Sequence, residues 1–238
     1  MVYHRPIIVE RLEAKLAQFL RRPRSDRPFI TVAFAQSLDA SITHRPEARM
    51  QLSNRQSMSL THQLRARHDA ILVGVNTVRI DDPLLTVRLV SGASPRPIVL
   101  DSRLRISEKA RLLVTCREPI VATTCRAFPR KRCRLQDAGV CVVELPAAVD
   151  GLVALPPLLA YLRSVGIRSL MIEGGARVIT SFLTAGLADQ LVLTICPLLV
   201  NGPRALTPAN GFPHPLPQLR NVCYEALDDD LVLMADLK

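Results

Sequence analysis

Tryptophan is absent from the 238-residue chain, and its aromatics number only nine, six Phe and three Tyr. Too few rings are present for a base-stacking nucleic-acid surface. No apolar run reaches the roughly 18 residues that a membrane span needs. Glycine is scarce, at ten residues, and no repeat period emerges. No two of the six cysteines (116, 125, 133, 141, 196, 223) have the paired spacing of a zinc site. Cys116, Cys141 and Cys196 lie in apolar runs, so all six read as free structural thiols in a reducing compartment. Gly-x-Ser-x-Gly, His-Glu-x-x-His and P-loop patterns are missing, which disfavours hydrolase, metalloprotease and NTPase chemistry. The start, MVYHRPIIVERLEAKL, has acids where a signal peptide is apolar, so secretion is not expected.

What is present is a globular balance, 48% hydrophobic and 22% charged. The net charge of +10 is localised. Residues 1–28 carry seven bases and three acids, and RAFPRKRCR (126–134) carries five bases and no acid. These segments read as a solvated arm and a surface turn, with docking of an acidic partner or phosphate as the alternative.

Residues 7–20 place Ile8, Leu12, Leu16, Phe19 and Leu20 on one helical face. The basic stretch that follows reads as a linker, so residues 1–27 are expected to form a helical arm and 28–238 the main domain. Strands are expected at 29–35, 70–75, 97–102, 111–115, 119–124, 140–145, 169–175 and 190–200. Helices are expected over 54–67, 130–138, 155–166 and 176–188, with a short helical turn before Pro83 and a terminal hairpin over 223–237. Apolar strands alternating with helices predict an α/β fold, a central mostly parallel sheet covered on both faces. Ligands in such sheets sit beyond the carboxyl ends of the strands. That directs attention to Gln36 to Asp39, Asn76-Thr77, Asp101 to Arg103 and Glu173 to Gly175.

Glu173-Gly174-Gly175-Ala176 permits a tight turn and close backbone approach, with helix amides aimed at an anion. It reads as a phosphate cradle or as a structural turn. Thr77 and Asp81, at i and i+4, share a face and can reach a ligand above the sheet; an N-cap and a turn Asp are the alternative. Arg65 and Arg88 are candidates for a substrate phosphate, or else surface arginines. His62 and His68 read as hydrogen-bonded structural histidines.

AQSLDASI (35–42), THQLRARHDAILVGVNTV (61–78), DDPLLTVR (81–88), VLDSRLR (99–105) and LMIEGGARVITSFLTAGLADQLVLTICPLLVNG (170–202) resemble the riboflavin-biosynthesis pyrimidine reductases. The match runs from about Pro28 to the C-terminus. It implies a dihydrofolate-reductase-like fold, a cytoplasmic homodimer and NADPH-dependent reduction of a pyrimidine ribosylamine 5′-phosphate from ribosyl to ribityl. Ala33, where bifunctional bacterial members usually have Lys, and the Ala-Gln-Ser-Leu-Asp wording lean towards the diamino-pyrimidinone substrate over the deaminated aminouracil. The resemblance implies cofactor contacts at Gln36, Thr77, Asp81, Ser102 and Gly175 to Val178 (Gly175, Ala176, Arg177, Val178). It implies substrate contacts at Arg65, Leu85, Arg88 and Glu173, and no metal. Among these, Asp81 is the candidate proton relay and Glu173 the candidate for orienting the pyrimidine. Ala40 replaces the family's usual Gly, and Arg49 to Leu52 replaces the Ser-x-Trp-Ile pattern of bacterial members. Other readings are a reductase of this fold acting on another pterin or pyrimidine, and a non-catalytic assembly partner. A nucleic-acid partner is not expected.

Overall fold

The structure, a computed structural model, describes residues 6–207, 211–212 and 216–237. One nine-stranded sheet organises the chain. Its strands are β1 (Phe29–Ser37), β2 (Ala70–Gly74), β3 (Arg96–Leu100), β4 (Ile120–Thr123), β5 (Cys141–Glu144), β6 (Ser169–Ile172), β7 (Gln190–Cys196), β8 (Leu219–Leu227) and β9 (Asp230–Leu237). Their order is β5-β4-β3-β2-β6-β1-β7-β9-β8. The first seven positions are parallel, and the terminal hairpin adds β9 and β8 antiparallel at one edge. The expected α/β architecture is therefore present.

Alternation along the strands divides the core into two layers. On β2, Ile71 and Val73 face one hydrophobic cluster and Ala70 and Leu72 the other. Such strands, apolar on both faces, must be covered on both. The first face is covered by α1 (Ile7–Arg21), α2 (Arg55–Arg65), α3 (Val75–Asp81), α4 (Arg111–Thr115) and α5 (Pro129–Asp137). On the second lie α6 (Leu155–Ser164) and α7 (Ala176–Thr184).

The N-terminal helix belongs to this core. Ile8, Val9 and Leu12 are fully buried in the first cluster, together with Val232 and Met234 of β9. Leu20, expected on the same face, is exposed, and Val9 takes an inward place. Arg67 donates to Glu13 at 2.6 Å, so the loop after α2 is tied to α1.

Several elements differ from expectation at their ends or in type, and three of them have a clear physical cause. RLLVT (111–115) is a helix, not a strand. Strand alternation would bury Leu112 with Val114, yet Leu112 and Leu113 go inward and Val114 is 73% exposed. A five-residue apolar run cannot distinguish the two periods. The helix is selected by tertiary capping, since the Arg111 amide donates to Asp82 Oδ1 at 2.9 Å. β7 stops at Cys196, because Pro197 has no amide to continue the ladder. α7 stops at Thr184, four residues early. Gly186 takes φ +62°, the Leu187 amide bonds Phe182 O, and that of Gly186 bonds Leu183 O. This is a Schellman end, which a left-handed glycine makes inexpensive.

The Ser-Leu-Asp motif is an anchor. Asp39 accepts from the Ser37 and Ser41 hydroxyls (2.5 and 2.9 Å) and from the Val200 and Asn201 amides (3.0 and 2.7 Å). The Ser37 hydroxyl and these further donors hold its carboxyl far below the usual range, despite some desolvation. The turn that makes this possible puts Ala40 at φ +68°, the left-handed region. A side chain costs about 1–2 kcal/mol there, partly offset by the extra unfolded-state entropy of glycine. Ala40→Gly is therefore expected to stabilise the protein by about 0.5–1 kcal/mol, raising Tm by about 1–4 °C in calorimetry. An unchanged or lower Tm would contradict this account of the turn.

Candidate active site

A cavity of about 450 Å³ opens beyond the carboxyl end of β6, against the C-terminal half of β1. Its walls include Ala33 to Ala35 of β1, Glu173 after β6, Thr194 of β7, Leu60 to Arg65 of α2 except Gln63, and Asp81 to Leu85. Arg49, Arg88 and Arg111 also line it, with the rest of the 49–53 segment. Parallel strands ending together gather residues remote in sequence at one place.

The centre of one wall is Arg65 with Glu173. Arg65 Nε donates to Glu173 Oε2 at 2.8 Å, Nη2 donates to Oε1, and Nη1 donates to Thr86 O at 3.0 Å. Three of its five N–H donors are thus committed. Burial works against the Arg65 charge, but the attraction of Glu173 and its hydrogen bonds outweigh that and raise its pKa. Both oxygens of Glu173 are engaged, which fixes the carboxylate plane.

His62, one turn before Arg65 on α2, has a second task. Its Nδ1 accepts the Arg88 amide at 2.9 Å, so the ring's proton sits on Nε2. Burial first, then the nearby Arg65 and Arg88 charges, lower its pKa to about 4. Spacing i, i+3 puts both side chains on one helix face. Together they pin the 85–88 segment, where Leu85 is buried at φ +56°. Arg88 Nη1 turns back to Thr86 Oγ1 at 2.8 Å. His68 is structural, with Nδ1 at 2.7 Å from Leu64 O and Nε2 at 2.9 Å from Thr31 Oγ1. Burial lowers its pKa to about 4 as well.

These two imidazoles give a pH prediction. Below about pH 6.5 the unfolded chain protonates each ring, whereas the folded protein resists until about pH 4. Protons then favour unfolding, so stability falls as pH drops across that window, by up to about 3 kcal/mol per ring. Urea midpoints from pH 7 to 4 are expected to decline, and His68→Gln to flatten the decline. A slope unchanged in that variant would contradict it.

Asp81 ends α3 and faces the cavity. Burial raises its pKa, and Arg49 opposes the rise. Thr77, one turn earlier, does not line the cavity but stands against the glycine pair. A Cβ built on Gly175 would lie 3.2 Å from Thr77 Oγ1. Gly174 and Gly175 take φ +94° and +86°, where L side chains are strained. Gly175 caps α7, so the first amides of Ala176, Arg177 and Val178 lack intrahelical acceptors. Val178 also packs 3.0 Å from a Cβ position on Gly74. Gln36 lies on β1 opposite Ile195, off the cavity wall. Ser102 lies off it too, its Oγ accepting the Val153 amide at 3.0 Å and its carbonyl the Thr124 hydroxyl at 2.9 Å. Among the described residues, no group of three or more His, Cys, Asp or Glu is placed to hold a metal, and no helix is long and apolar enough to cross a membrane.

Sequence reasoning named Asp81, Glu173, Arg65, Leu85 and Arg88, which the fold brings together. It passed over His62, Arg49 and Arg111 as site residues. The spacing of His62 to Arg65 carries a signal; Arg111 has none, because its segment reads as a strand.

The family model described as RibD C-terminal domain matches residues 28–233, nearly the whole of this sheet. The chain belongs to the RibD C-terminal domain family. That bears out the resemblance carried by the five motifs. Among its relatives is the 2,5-diamino-6-ribosylamino-4(3H)-pyrimidinone 5′-phosphate reductase of Debaryomyces hansenii. It is 32% identical, over 78% of this chain and 81% of that protein. Against riboflavin biosynthesis protein RibD of Aquifex aeolicus the identity is 36%, over 74% of this chain but only 48% of that protein. The chain thus spans about half of that longer RibD protein. A solved structure of the Saccharomyces cerevisiae riboflavin biosynthesis reductase Rib7 superposes with a TM-score of 0.74 at 29% identity, covering 98% of this chain and all of that one. The Debaryomyces hansenii and Saccharomyces cerevisiae relatives are reductases by name, and the cavity lies where this sheet places ligands.

Proposed function

We propose that this chain is an NADPH-dependent reductase that converts the ribosyl side chain of a pyrimidine ribosylamine 5′-phosphate to ribityl. The diamino-pyrimidinone is favoured over the deaminated substrate. One observation carries the reading: a single cavity collects Asp81, the Arg65–Glu173 pair and three further guanidiniums, directly beside the Gly174–Gly175 turn. That turn fits a dinucleotide. Two left-handed glycines, a nearby Thr77 hydroxyl and the leading amides of a nine-residue helix suit a phosphate approaching the backbone. NADPH, when bound, supplies the hydride.

Reduction at C1′ requires the sugar ring to open to an imine, whose nitrogen takes a proton as carbon takes the hydride. Asp81 is the group that holds this proton, since burial favours its neutral form. Glu173, its plane fixed by Arg65, orients the pyrimidine. Arg88, on a segment pinned by His62 and Arg65, faces the phosphate. The RibD C-terminal domain match begins at residue 28, which supports assigning the reaction to 28–238. Six free cysteines support a reducing, cytoplasmic setting, and the resemblance supports a homodimer.

The test is NADPH oxidation at 340 nm with each pyrimidine ribosylamine phosphate supplied separately. Turnover is expected, faster with the diamino compound. Turnover with neither would overturn the substrate, and preference for the deaminated compound would reverse the order of reduction and deamination.

A further inference from the structure

Four arginines share one cavity, and their charges are not equally answered. Arg65 is neutralised by Glu173. Among the described residues, Arg88 and Arg111 have no carboxylate within 4.0 Å. They are nevertheless close enough for burial, Arg65 and then Arg111 to lower the Arg88 pKa, outweighing the more distant attraction of Glu173, whose oxygens are both held by Arg65. Of the two acids at α3's end, Asp81 lies nearest Arg49, and Asp82 has its Oδ1 taken by the backbone amide of Arg111. That contact fixes where residue 111 sits but leaves its guanidinium free of it. Two cations brought together with no carboxylate in contact repel, and an anion with several acceptors relieves both.

We infer that Arg111 is a phosphate-binding residue, forming with Arg88 a two-guanidinium clamp for the phosphate of the substrate. The assignment rests on the substrate class proposed above. Arg88 comes from the pinned 85–88 segment and Arg111 from α4, so the clamp exists only where these elements meet. It holds the charged end of the substrate and leaves Asp81 and Glu173 for the reacting end. Its effect falls on affinity for phosphorylated substrate rather than on chemistry.

Arg111→Gln tests this, since the Arg111 amide contact to Asp82 survives the change. Arg130→Gln, at an exposed α5 position outside the cavity, controls for loss of one charge. Binding of inorganic phosphate is measured by calorimetry on all three proteins, with circular dichroism to confirm folding. Wild type and Arg130→Gln are expected to bind alike, and Arg111→Gln at least about tenfold more weakly. Kinetics give the second arm. KM for the phosphorylated pyrimidine is expected to rise about tenfold or more with kcat nearly kept, and the dephosphorylated compound to be handled equally by both. Phosphate binding unaffected by Arg111→Gln, or absent from wild type, would overturn the clamp. So would an equal loss with and without the substrate phosphate. Arg111-dependent phosphate binding without any pyrimidine turnover would keep the clamp and overturn the proposed reaction instead.

Discussion

Asp81→Asn is expected to lower kcat by about 100-fold or more, while NADPH affinity changes by less than about threefold. Asparagine keeps the shape and the hydrogen-bonding reach of the side chain but cannot give up an acidic proton. The carboxyl is suited to the task because it ends α3 half-buried, with burial pushing its pKa up and Arg49 restraining it. A raised pKa keeps more of the acid form available as pH rises, so wild-type kcat is expected to fall on the alkaline side of that pKa. The variant should lose this limb of the profile. Stopped-flow single turnovers, with NADPH titrated separately by fluorescence, check both parts. Equal losses in turnover and in NADPH affinity would reduce Asp81 to a binding role.

Glu173→Ala is expected to cost about 3–5 kcal/mol of stability and to abolish most turnover. The change strands Arg65, whose side chain is 9% exposed, without its carboxylate. An unpaired buried cation is far more costly than the pair is favourable. The damage should spread, because Arg65 also holds Thr86 O and thereby the segment that carries Leu85 and Arg88. Urea unfolding measures the stability. Arg65→Met combined with Glu173→Leu should recover much of it without recovering activity, since two apolar side chains can fill the site but cannot orient a ligand. A stability loss below about 1 kcal/mol in Glu173→Ala would mean the pair is solvated in practice.

The sheet was legible in the sequence because its strands are continuous apolar runs of the right length, FITVAFA and AILVG among them. RLLVT has the same appearance and is a helix, since its conformation is decided by Asp82, 29 residues before Arg111 in the chain. Periodicity carries no trace of such a cap. Asp81, Glu173 and Arg65 are legible because each lies at or just after a strand or helix end within a recognisable motif, and Arg88 because it closes the DDPLLTVR motif. His62 was read only as structural: nothing local says that its ring will accept the Arg88 amide. Ser102 shows the opposite case, a motif residue whose hydroxyl the fold spends on the Val153 amide. Ala40 was legible as a departure from a glycine, and its φ of +68° supplies the physical reason that glycine suits the position.

The most direct test of the central claim is where the hydride goes. NADPH deuterated at both C4 positions would be incubated with the diamino-pyrimidinone ribosylamine phosphate, and the product analysed by mass spectrometry and carbon NMR. The account predicts one deuterium, located at C1′ of a ribityl chain. Oxidation of NADPH with no deuterium at C1′, or a product that keeps its ribosyl ring, would contradict it.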